Sequence, residues 1–138
     1  MRALVIDGST ALSFLLSDER SSLAMKALGA IESGAPAHVP AHWCVEVAHG
    51  LLVAERRKRI SQADNMEAHE LISGMGIVTD DDTNKRAGRE TMALARQYGL
   101  TIYDAAYLEL AIRIGASLAT NDNALEKAAL ASGVRIFS

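Results

Sequence analysis

Short apolar runs recur along this chain, each separated from the next by a stretch long enough for a helix, and this alternation restricts the fold more than any other feature. Residues 3–6 form an apolar run that ends at Asp-Gly-Ser and leads into residues 10–16, apolar enough for a packed helix. Residues 21–33 carry Leu23, Ala24, Ala27, Leu28 and Ile31 at helical spacing before Gly34 stops them, and 37–39 suit a short strand. After Pro40, residues 42–57 read as a long helix. Residues 61–74 read as another with Ser61 as N-cap, and 77–78 as a brief strand. Residues 79–82 then cap a helix ending near Gly99. A helix starting at Ile102 or Tyr103 ends at Gly115, followed by strand 117–119, helix 123–132 and a last strand at 134–137.

Apolar strands joined by helical crossovers imply right-handed βαβ units, so the fold class is α/β: a parallel sheet sandwiched between helices in three layers. No repeat, low-complexity segment or linker interrupts the 138 residues, so residues 1–138 read as one domain. In such sheets ligands bind beyond the carboxyl ends of the strands, where the strand order reverses.

Charge and composition narrow the function. A net charge of −3 gives no overall field to attract nucleic acid, so any nucleic-acid substrate needs a local grip, and Arg56, Arg57, Lys58 and Arg59 form the densest basic stretch. A solvated helix end explains that stretch equally well. Only one Trp, three Tyr and two Phe are present, which disfavours recognition by base stacking. The single cysteine, Cys44, sits in an apolar stretch and suits a buried thiol in a reducing compartment. The first apolar run is broken at Asp7, too early for a signal-peptide core, and no run approaches a membrane span, so a cytoplasmic protein is expected.

Four carboxylates stand out. Asp7 follows the first strand and Asp122 follows the fourth, although either alone is explained by helix capping. Asp104 opens an apolar helix, where the dipole favours an acid. Glu46 lies among Trp43, Cys44, Val45, Val47 and Leu51 in a helix that reads as mostly buried, and a carboxylate there needs a partner. Acids gathered together repel one another unless cations bind, and magnesium or manganese meets that need with oxygen ligands.

The same residues resemble the PilT N-terminus (PIN) domain nucleases and, within them, the VapC-type toxins of bacterial toxin–antitoxin pairs. VIDGST is similar to the family's opening motif, WCVEVAHGLL to its second, TIYDAAYLELA to its Tyr-Asp-Ala segment and LATNDNAL to its closing Thr-x-Asp segment. The resemblance spans the whole chain and implies a five-stranded sheet ordered 3-2-1-4-5 and an Mg²⁺- or Mn²⁺-dependent endoribonuclease. It implies metal-site acids Asp7, Glu46, Asp104 and Asp122, with Ser9 and Thr120 supporting them, a homodimer, and neutralisation by a cognate antitoxin. Gly8 stands where the family has a small residue with a β-carbon, and His49 where it commonly has Asn.

Two other readings remain open on the residues. His42, Glu46 and His49 share one helical face and offer a His₂Glu zinc site for a metallohydrolase. Asp7, with Asp80, Asp81 and Asp82 after the third strand, suggests a receiver-like signalling module, though the latter three serve as helix caps more simply. Tyr103 and Tyr107 read as packing residues. Lys85, Arg86 and Arg89 read as a solvated helix face, with the lining of a substrate groove as the alternative, and His38 and His69 have no assigned role.

Overall fold

Leu4, Val5 and Ile6 form β1 (Leu4–Ile6), and all three are buried. A strand with no exposed face must be covered on both sides, as it is in an α/β fold. The computed structural model describes residues 1–138, and in it β1 lies between β2 (Ala37–Val39) and β4 (Ser117–Ala119), with β3 (Val78–Thr79) beyond β2. Every pairing is parallel, and Leu4 sits opposite both Ala37 and Ser117. The order is therefore β3-β2-β1-β4, and the chain reverses its direction across the sheet between β1 and β4.

The expected five-stranded sheet is corrected to four strands. Residues 134–137 make one parallel bridge, Ile136 to Leu118, held by hydrogen bonds of 2.9 Å from the Leu118 N–H to the Arg135 carbonyl and from the Phe137 N–H to the Leu118 carbonyl. Only Val134 of this segment is buried, so a longer ladder there would cover little additional apolar surface.

The crossovers are α1 (Gly8–Leu15), α2 (Ser22–Glu32), α3 (Trp43–Arg56) and α4 (Gln62–Gly74), then a helical stretch of α5 (Thr83–Arg86), a π-helical turn (Ala87–Thr91) and α6 (Met92–Tyr98). They are completed by α7 (Ile102–Ile114) and α8 (Asn123–Ala131). Local chemistry sets their ends. Ser61 and Asp64 form a reciprocal capping box at the start of α4, and Gly99 and Gly115 close α6 and α7 in the left-handed region. Where α1 crosses α3, a side chain at Gly50 would come within 2.3 Å of Leu12, so a glycine is what allows the two helices this close.

Two expectations for α3 are overturned. It buries only the stripe Trp43, Val47, Leu51 and Ala54, and Cys44 is exposed, as is Val45. A helix lying on a sheet buries one face, and Trp43 occupies the core position at this end, which turns its neighbours Cys44 and Val45 outward.

Candidate functional site

The reversal between β1 and β4 creates the crevice where an α/β sheet binds its ligands. Asp7 stands at the end of β1 and caps α1, its Oδ1 accepting from the Thr10 N–H at 2.8 Å and the Ser9 hydroxyl at 2.9 Å. Its Oδ2 accepts from the Thr120 hydroxyl. Thr120, just past β4, in turn accepts from the Asp122 N–H at 3.0 Å, and Asp122 caps α8 through the Leu125 N–H at 2.8 Å. Both aspartates thus act as helix caps, and one buried threonine hydroxyl ties them together. Asp7 is buried and Asp122 is exposed.

Glu46 reaches this end of the sheet from the first turn of α3. Its Oε2 accepts from the Tyr107 hydroxyl at 2.8 Å, and its Oε1 lies 3.4 Å from His42 Nε2. Burial acts to raise the Glu46 carboxyl, but His42 and Tyr107 more than reverse this and hold it below the ordinary carboxylate range. Burial, reinforced by the Glu46 charge, pushes the Tyr107 phenol well up, so it stays a proton donor.

Asp104 lies in the first turn of α7, where Thr101 rather than Asp104 is the cap. Burial raises its carboxyl, and the negative charges of Asp122, Asp7 and Glu46 raise it further. The charges of the other three acids thus reach Asp104. None of them pairs with a lysine or arginine. As they stand, no three His, Cys, Asp or Glu side chains are grouped closely enough to form a metal shell by themselves. Such a donor set, all oxygen, negative and without a lysine or arginine partner, fits a hydrated Mg²⁺ or Mn²⁺, which takes one or two carboxylates directly and keeps several waters.

The zinc reading is corrected: His49 is exposed on α3 and joins no group with His42 and Glu46. The capping role assigned to Asp80 through Asp82 is also corrected. Asp82 makes no side-chain cap bond, and Asp80 takes a bidentate pair with Arg113 of α7 at 2.9 and 2.7 Å while accepting from Thr83 at 2.9 Å. Arg113 also holds buried Glu109 at 2.9 Å through two nitrogens. A carboxylate so fully paired is a clamp between the end of β3 and α7, not a phosphate acceptor.

Arg56, Arg57, Lys58 and Arg59 fall at the opposite end of α3 from Glu46, about 15 Å away for ten residues of helix. Arg59 is engaged by Asp18 at 2.7 and 2.9 Å and by Glu19 at 3.3 Å, whereas the other three are exposed and carry no ion pair. Tyr107 is the site residue that sequence reasoning passed over as packing. Its ring is packed, but its hydroxyl is committed to Glu46. The available signal was its place one helical turn after Asp104. No helix is long and apolar enough to cross a membrane.

The PIN domain family matches the chain over residues 4–130. Ribonuclease VapC3 of Pyrobaculum aerophilum is 33% identical over 126 residues, which cover 88% of this chain and 91% of that protein. Among solved structures, PAE2754 from Pyrobaculum aerophilum aligns with a TM-score of 0.69 at 19% identity, covering 92% of this chain and 79% of the other. FitAcB from Neisseria gonorrhoeae aligns with a TM-score of 0.63 at 16% identity, covering 98% and 96%. At those identities the two structures show a shared fold alone.

Proposed function

This chain belongs to the PIN domain family, and from that premise we propose that it is an Mg²⁺- or Mn²⁺-dependent endoribonuclease serving as the toxin of a toxin–antitoxin pair. The observation that carries the reading is the set of four acids, none with a lysine or arginine partner, at the β1/β4 crevice, where burial first and then the charges of Asp122, Asp7 and Glu46 raise the Asp104 carboxyl. The curated relative's name supports RNA as the substrate.

Asp7, Glu46, Asp104 and Asp122 would hold the cation. When bound, a divalent cation supplies an activated water and stabilises the leaving oxygen in phosphodiester hydrolysis. The protein's own part is to place the carboxylates. Thr120 and Ser9 fix both oxygens of Asp7, and Thr120 sets the backbone of Asp122 relative to Asp7. Tyr107 and His42 keep Glu46 ionised and turned towards the crevice end of α3. No side chain is required as nucleophile. The Ser9 hydroxyl donates a hydrogen bond to Asp7, a carboxylate the cation would engage, and hydrogen-bonds no histidine that would activate it as a nucleophile.

Exposed Arg56, Arg57 and Lys58 would hold the RNA strand, which a second copy's site could then cut. Pairing of two copies, capture by a cognate antitoxin and a cytoplasmic setting follow from the resemblance to VapC-type toxins. The exposed apolar residues Met66 and Leu71 on α4 supply surface for such contacts. The deciding experiment is cleavage of total RNA with Mn²⁺, with EDTA and by Asp104→Asn. Cleavage only by the wild type with metal is expected, and full cleavage in EDTA would refute the reading.

A further inference from the structure

Glu46 sits in a notch that only a glycine leaves open. A β-carbon at Gly8 would stand 2.7 Å from Glu46 Oε2, 3.5 Å from Glu46 Cβ and 3.7 Å from the Tyr107 hydroxyl. The first contact is well inside van der Waals distance, so any side chain at position 8 would force the carboxylate to turn away.

The notch is closed by α7. Tyr107 is 1% exposed, and its hydroxyl donates to the same Oε2 at 2.8 Å. Its ring lies edge-on to His42, with centroids 5.1 Å apart and planes at 66°, and His42 Nε2 faces the other carboxylate oxygen at 3.4 Å. Glu46 would otherwise be a long side chain free to rotate about three torsions. Tyr107 follows Asp104 by three residues, so the helix that carries one acid also fixes the carboxylate of another.

We propose that Tyr107 is the positioning residue for Glu46, and that Gly8 is the specific feature of this chain that permits it. The role presupposes the reading above, that Glu46 serves a divalent cation. Tyr107 acts through Glu46, by holding Oε2 over Gly8 so that Oε1 is presented with one orientation.

The test is direct Mn²⁺ binding to the whole protein without RNA, compared among the wild type, Tyr107→Phe, Gly8→Ala and the double variant. Tyr107→Phe keeps the buried ring and removes only the hydroxyl. Each single variant should weaken Mn²⁺ binding on the order of tenfold, the scale of one hydrogen bond to a charged group. Both act by releasing the same carboxylate, so the double variant should be no weaker than the worse single one. Unchanged affinity in Tyr107→Phe, or losses that multiply, would overturn the role while leaving the nuclease reading intact. If Tyr107→Phe does not fold, Gly8→Ala decides, with unchanged affinity again the overturning result. A wild type that binds no Mn²⁺ would overturn both readings together.

Discussion

The Thr120 hydroxyl donates to Oδ2 of Asp7, joining the ends of β4 and β1 across 113 residues of sequence. Asp7 is 5% exposed and has no cationic side chain to neutralise it, so this donor is hard to replace. Thr120→Val keeps the shape and removes the donor. It should cost about 1–3 kcal/mol, the penalty for an unsatisfied buried acceptor, and Thr120→Ser should recover most of it. Urea unfolding in EDTA measures both.

Asp104 should trade stability for function. Its carboxyl is raised by burial and by the charges of Asp122, Asp7 and Glu46, so in the native protein ionisation opposes folding. A raised carboxyl contributes stability below the unfolded pKa and loses it as pH rises through the native value. At pH 7 without metal, Asp104→Asn should therefore melt at a higher temperature than the wild type. The gap should close below about pH 4, where the wild-type carboxyl is protonated in both states. A variant less stable than the wild type at neutral pH would contradict this electrostatic account.

The Asp80–Arg113 clamp has the opposite sign. Arg113 beside it holds the Asp80 carboxyl below its ordinary value, so its stabilisation is present above about pH 4 and is lost as pH falls through the lower native value. The side chains are 12% and 19% exposed. Asp80→Asn should cost about 2 kcal/mol, somewhat less than breaking a fully buried pair. Arg113→Lys should recover only part of an Arg113→Ala loss, because an ammonium cannot bind both Asp80 oxygens in parallel. Denaturant melts at neutral and acid pH separate these outcomes.

Packing of α1 on α3 should be equally intolerant at Gly50. An alanine there drives into the branched end of Leu12 and should cost about 1–3 kcal/mol through overpacking. Gly50→Ala combined with Leu12→Ala should lose less than the sum, since the second change empties the space the first fills.

RNA affinity should divide the basic stretch. Arg56, Arg57 and Lys58 are exposed and free of ion pairs, whereas Arg59 is held by Asp18 and Glu19. Replacing any of the first three by alanine should weaken RNA binding and flatten the slope of log affinity against log salt by about 0.7 per lost phosphate contact. Arg59→Ala should leave that slope unchanged. Binding titrations over a salt series, in EDTA to prevent cleavage, read this directly.

The alternation of short apolar runs with helical spacing was enough to read the α/β class, because a strand buried on both faces and a helix buried on one leave different periods in a sequence. The positions of Asp7 after β1 and Asp122 after β4 were legible for the same reason, as was the Ser61 cap, since these depend on residues within a few positions of each other. The edge of the sheet was not legible. Residues 134–137 carry a strand's composition, but whether they form a ladder depends on how much surface a neighbour covers, and only Ile136 pairs.

What only the tertiary structure decided is which side chains meet across long separations. Glu46 could be read as needing a partner, but nothing near it in sequence identifies Tyr107, 61 residues away, as the donor. Gly8 looked like a departure from a motif until the fold brought Glu46 against its Cα. Asp80 looked like a cap until α7 delivered Arg113 to it. Local hydrogen bonds and periodicity are set by neighbours along the chain. The charge state and orientation of a carboxylate are set by whatever folding packs against it, and that depends on where distant helices come to rest on the sheet.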